Sequence, residues 1–196
     1  MRSAAVQSRT IRILIAIALP LTGTVRAQEV ECAPIPDTTS IQILGAFSDM
    51  RYTEEHAYGQ TVELWRTGKC IFGFLEVAAG LAGDTPTGVL IQVRHNSGTG
   101  DLAFTAKLTT GLTYAVNAKE WVPSRDFFVF GGRLSGGMLK GKLRHYDQLR
   151  PDLQPVERGV VLPRSKDAQE LMSDAATYGE WREQAQWILR ARGPKW

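Results

Sequence analysis

The feature that most constrains this chain is a series of short alternating segments whose connections are tight and long by turns. Leu102, Phe104, Ala106 and Leu108 interleave with Ala103, Thr105, Lys107 and Thr109. Leu139, Gly141 and Leu143 interleave with Lys140, Lys142 and Arg144. Successive side chains of a strand point to opposite faces, so this period of two describes half-buried antiparallel strands. The same reading places strands near 41–48, 58–65, 70–78, 88–95, 101–109, 126–134, 138–145 and 158–162. Two of them, with Ile71-Phe72-Gly73-Phe74-Leu75 and Phe127-Phe128-Val129-Phe130, are apolar on both faces and need cover on the outer side.

Arg66–Lys69, Asn96–Gly100 and Ser135–Gly137 are short, glycine-bearing connections and read as hairpin turns. The segments 49–57, 79–87, 110–125 and 146–157 are long. In an up-and-down order the tight turns gather at one end of the strands and the long loops at the other. Eight such strands close into a barrel with room for side chains or one small ligand. Two stacked sheets satisfy the same alternation. The expected fold is mainly β: an antiparallel up-and-down barrel of about eight strands with a C-terminal helical segment, 166–192, packed on it.

That segment supplies the cover. Ser165 suits a helix N-cap, and Thr177-Tyr178-Gly179-Glu180 has the form of a capping box. Trp181, Ala185 and Ile188 then fall on one face, with Tyr178 and Trp187 beside them. Arg190 and Arg192 suit the helix C-terminus, before Gly193-Pro194. The chain closes with one kinked helix or two short ones.

The start of the chain is of another kind. Arg2, Arg9 and Arg12 precede or flank an apolar run, Ile13 to Leu21, and Val25-Arg26-Ala27 offers small residues for cleavage. This is the pattern of a secretory signal peptide over 1–27, and the run is shorter than the roughly 20 residues that span a bilayer. The expected location is periplasmic or secreted, with no transmembrane segment once the signal is removed. An extended lead-in, 28–40, and a single domain, 41–196, follow. Of 23 Lys+Arg, four arginines lie in the signal and no acid does, so 19 basic residues face 20 acidic ones afterwards. No basic surface for nucleic acid is expected. The two cysteines, Cys32 and Cys70, are most simply a disulfide in an oxidising compartment.

Signal peptide, eight meandering strands, trailing helix and disulfide together resemble the calycin group, the lipocalins and avidin-like barrels. Where lipocalins carry Gly-x-Trp, this chain has Gly45-Ala46-Phe47. The stretch Thr53-Glu54-Glu55-His56-Ala57-Tyr58-Gly59 with Val62-Glu63-Leu64-Trp65 is also similar to an uncharacterised family of bacterial secreted proteins. Neither resemblance implies an activity.

Two sets of residues are candidates for function. The long loops gather Glu54, Glu55, His56, Asp84, Arg125, Asp126, Arg144, His145 and Asp147 at one rim, where histidines among carboxylates suit acid–base work. The same charges suit a solvated rim. Trp65, Phe72, Phe74, Phe104, Phe128 and Phe130 suit either a cavity lining or a filled barrel core. His95 reads as a turn residue. Gly98-Thr99-Gly100 opens no helix, so it is no phosphate cradle, and Gly132-Arg133-Leu134-Ser135-Gly136 is no nucleophile elbow. No catalytic, metal or cofactor motif is expected. The leading reading is an exported, non-enzymatic protein holding a small apolar ligand in or at the wide end of the barrel. Its alternatives are a module that engages an envelope protein or a glycan through its loops, as an inhibitor for example, and a cofactor-independent enzyme using the rim His, Asp and Glu.

Overall fold

A computed structural model describes residues 32, 34–81 and 85–190. The expected signal peptide and Asp84 lie outside the described residues. All eight expected strands form: β1 (Gln42–Ser48), then, after the two-residue β2 (Arg51–Tyr52), β3 (His56–Thr67), β4 (Cys70–Leu81), β5 (Thr87–Asn96) and β6 (Asp101–Lys107). A hairpin of β7 (Leu112–Ala115) and β8 (Glu120–Pro123) interrupts the series, which resumes with β9 (Phe127–Ser135), β10 (Met138–Tyr146) and β11 (Val156–Pro163). Helices α1 (Lys166–Glu170) and α2 (Tyr178–Arg190) end the described chain.

The eight long strands pair antiparallel in the order β1-β3-β4-β5-β6-β9-β10-β11, an up-and-down meander curled into a half-barrel. Its first and last strands approach at an isolated bridge between Phe47 and Arg164, beside a Ser165 N–H to Ala46 carbonyl bond of 2.9 Å. Arg158 of β11 also donates to the buried Gln60 of β3, whose side chain in turn donates to Asp49 at 2.8 Å. Such a curl is compatible with a calycin-like architecture.

The alternation read from the sequence is what fills the interior. Leu102, Phe104, Ala106 and Leu108 are all buried, as are Leu139 and Leu143, and they join Leu64, Leu75, Phe128 and Phe130 in one cluster. Gly132 and Gly141 face each other across β9–β10. A Cβ on either would come within 2.7–2.8 Å of the Phe130 ring, so the pair leaves that ring its space.

A second cluster forms on the outer side of β3 and β4. Trp65 and Phe72 meet Trp181 and Ala185 of α2, with Phe74 and Tyr178 packed against them. The cover expected for β4 is therefore the helix. The outer side of β9 is handled differently, since Phe127 packs edge-on against Tyr146 at 5.5 Å. The helix starts are capped as their residues dictate. Ser165 accepts from the Ala168 N–H at 3.1 Å. Thr177 Oγ1 accepts from the Glu180 N–H at 3.3 Å while the Glu180 carboxylate accepts from the Thr177 N–H at 3.3 Å. Cys32 and Cys70 form the disulfide, with Cα atoms 5.6 Å apart.

Candidate functional site

The ladder between β4 and β5 is the weak seam of the sheet. β3 and β4 pair along twelve residues, from His56 with Leu81 to Thr67 with Cys70. β4 and β5 pair only where Phe74–Glu76 meets Thr87–Val89. Beyond that point β5 bulges: its register with β6 shifts between Ile91 and Arg94, and Gln92 takes a φ of 51°. A bulge bends its strand and takes it out of pairing. β5 therefore follows β6 and leaves the first residues of β4.

A cleft of about 800 Å³ occupies the parting. Phe72 lines it from β4, Gln92, Val93 and Arg94 from the bulge, and Phe104 and Phe130 from β6 and β9. The stacked rings of Phe104 and Phe130 lie 4.9 Å apart. Cys32, Pro34 and Ile35 of the lead-in form the facing wall together with Tyr178, whose ring meets Phe72 edge-on at 5.2 Å.

A second cavity, of about 390 Å³, lies between α2 and the outer face of β3–β4. The pairing sets Thr61 opposite Glu76 and Glu63 opposite Phe74, so the two glutamates are diagonal neighbours on one face. Both line the cavity, with Trp65, Phe74 and Trp181. Burial, and next the charge of Glu76, push the Glu63 carboxyl up to about 7. Burial also raises Glu76. Near neutral pH Glu63 is thus poised to give or take a proton.

The raised Glu63 has a consequence for stability. An acid whose folded pKa is raised from 4.5 to about 7 stabilises the fold fully below pH 4.5 and loses that contribution as pH rises through 7. Glu63→Gln should match the parent chain at pH 4.5 and exceed it at pH 8, by up to ~3 kcal/mol, because each tenfold gain in proton affinity on folding is worth about 1.4 kcal/mol. Urea unfolding at the two pH values checks this. An equal difference at both would contradict the buried acid.

The rim residues assemble in twos and threes. His145 Nε2 lies 2.7 Å from Asp126 Oδ2, and the imidazole stacks on Phe128 with centroids 4.6 Å apart. Asp126 Oδ1 also accepts from the Gln148 N–H at 3.1 Å, so this carboxylate ties β10 and its following loop to the start of β9. Arg125 and Asp147 line a recess of about 270 Å³ with Lys107 and Tyr146. Arg125 donates to the Ser124 carbonyl at 2.6 Å, and Arg150 pairs with Asp147 at 2.6 Å. Burial raises the Asp147 carboxyl, but hydrogen bonds from Arg150 and the Leu149 N–H outweigh it and hold the group below its ordinary value. Arg144 pairs with Glu157 at 2.9 Å. Glu54 and Glu55 stay exposed in the turn before β3, where His56 stacks on Tyr58 at 5.9 Å. Among the described residues no three His, Cys, Asp or Glu side chains are grouped to hold a metal ion.

The aromatic candidates divide by face. Phe104, Phe128 and Phe130 belong to the interior cluster, while Trp65 and Phe72 belong to the cluster under α2 and Phe74 packs against it. Phe72, Phe104 and Phe130 line the larger cleft, and Trp65 and Phe74 the smaller cavity. Glu63 and Glu76 were not singled out from sequence. Their signal is an acid set inside an apolar strand, Val62-Glu63-Leu64-Trp65 and Leu75-Glu76-Val77, where the neighbouring strand face needs cover. Comparison with known proteins finds no counterpart: no family model, no curated protein and no solved structure matches this chain.

Proposed function

We propose that this chain is an exported binding protein that holds a small apolar or amphipathic ligand in the cleft between β4 and β5. The observation that carries this reading is the composition of the cleft wall. Phe72, Phe104 and Phe130 offer apolar surface, while Gln92 and Arg94 offer a few polar groups. An apolar wall with a few fixed polar groups, in a space of roughly 300–1,000 Å³, is the ordinary form of a small-molecule site. Export is supported by the leading segment, by the Cys32–Cys70 disulfide, and by the finding that no described helix is long and apolar enough to cross a membrane.

A second reading rests on the β7–β8 hairpin. Tyr114 and Trp121 meet across it with centroids 5.4 Å apart and their ring planes tilted by 59°, and they are 45% and 49% exposed. Paired exposed aromatics suit contact with an envelope protein or a glycan.

Native mass spectrometry of the protein purified from the cells that make it separates the two. The ligand reading expects a retained small-molecule mass that Ala103→Trp, which fills the cleft, abolishes. A bare chain that co-purifies with a macromolecule, released by Trp121→Ala, would overturn it in favour of the hairpin.

A further inference from the structure

We propose that the outer face of β9–β11 is a docking surface for a linear acidic polysaccharide, which lies along a row of cations on β10. Leu139 and Leu143 point into the interior, so Lys140, Lys142 and Arg144 stand on the opposite face, at every second position. Successive cations are about 6.8 Å apart along the strand. Arg133 of β9 stands opposite Lys140 and widens the row. All four residues are exposed, and the side chains of Lys142 and Arg144 are 73% and 47% exposed. Among the described residues, Glu157 is the one acid at an outward position of β9, β10 or β11. It serves two cations, Lys142 at 2.8 Å and Arg144 at 2.9 Å. Asp101 of β6 holds Arg133 at 3.2 Å. Four cations thus meet two carboxylates.

Gly131 and Gly159 stand opposite Lys142 on its two sides, and a Cβ at either would meet nothing within 4 Å. The middle of the row is therefore flanked by bare backbone, which lets an extended polymer lie close against the lysine stems. A string of cations along one strand asks for a string of anions. Exposed ion pairs are weakly held, so Glu157 yields Lys142 and Arg144 to incoming carboxylates. A single-stranded nucleic acid needs aromatic rings on which its bases stack. The positions that flank the three cations of β10 are Arg133, Gly131 and Val129 on one side and Val161, Gly159 and Glu157 on the other. A bilayer asks for apolar groups that insert. This face is the convex side of a curled sheet, so a flat surface would touch its crest alone. None of these cations lines the cleft proposed above for an apolar ligand, so either reading can fail alone.

The test is isothermal titration of the purified protein with polygalacturonate, which carries a carboxylate on each sugar. Binding should weaken about tenfold or more between about 50 and 200 mM salt, and neutral dextran should not bind. Lys140→Ser with Lys142→Ser should bind at least about tenfold more weakly, for loss of two ionic contacts. Lys69→Ser with Lys166→Ser removes the same charge from the β3–β4 turn and the start of α1, and should bind like the parent. Glu157→Gln, which frees two cations, should bind more tightly. Urea unfolding confirms that the variants are folded. An equal loss in both double variants would overturn the proposal, because net charge and not the row would then be read. So would absence of polygalacturonate binding at low salt. Tighter binding of a single-stranded oligonucleotide or of phosphatidylglycerol vesicles, lost with Lys140 and Lys142, would overturn it in favour of nucleic acid or membrane.

Discussion

Replacing Cys32 and Cys70 together by serine should destabilise the protein by about 4 kcal/mol and strip one wall from the large cleft. The two cysteines are 38 positions apart, and a cross-link across a loop of that size removes about this much chain entropy from the unfolded state. For a domain whose whole stability is about 5–15 kcal/mol, the loss is large. The effect on the cleft is local. Residues 37–41 have anchors of their own: Asp37 pairs with Arg182 at 2.7 Å, its carbonyl accepts from the Gly179 N–H at 2.8 Å, and Ile41 N–H donates to Ala176 at 3.1 Å. Pro34 and Ile35, which line the cleft, are tethered on their other side by Cys32. The variant should keep the sheet and α2, with Tyr178 and Trp181 still against Phe72, and lose the part of the cleft wall that Pro34 and Ile35 supply. Urea midpoints with and without reductant measure the first effect, and hydrogen exchange around β4 and β5 the second. A variant as stable as the parent would contradict both.

Gly73→Ala should cost about 3 kcal/mol or more, whereas Gly80→Ala on the same strand should stay within about 0.5 kcal/mol. Gly73 stands opposite Leu64 in the longest ladder of the sheet. A Cβ there would overlap the Glu63 carbonyl oxygen and sit 3.3 Å from the Leu64 Cα. These are backbone atoms, which cannot rotate aside, so β3 and β4 must separate to admit the methyl group. The same movement would shift Glu63 and the floor of the acidic cavity. A Cβ at Gly80 meets nothing within 4 Å. Thermal or urea unfolding of the two variants side by side gives the comparison, and equal costs would show that β3 and β4 are not so closely apposed.

The rim shows why placing residues at one end of a barrel is weaker than placing them in one site. Loop parity correctly put the long connections together, since β3, β5, β9 and β11 all begin where β1, β4, β6 and β10 end. Parity carries no information about azimuth around the sheet. His145 meets Asp126 because β9 and β10 are neighbours, while His56 stands on β3 beside Tyr58. The segment 110–125 reads as a loop because its alternation lasts only four residues on each side, yet it holds β7 and β8.

What the chain determined by itself was whatever depends on neighbours close along it. Period-two alternation set which side of β6 and β10 is buried, because a strand's pleat is a local property. Glycine-bearing turns set the hairpins, and Ser165, Thr177 and Glu180 set the helix starts, for the same reason. The tertiary structure alone decided where the sheet opens and which acids are desolvated. The parting of β4 from β5 depends on β5 following β6 through the bulge at Gln92, and the burial of Glu63 and Glu76 depends on α2, more than a hundred residues later, lying over them. Dehydration is a property of everything packed around a group, and no window along the chain contains it.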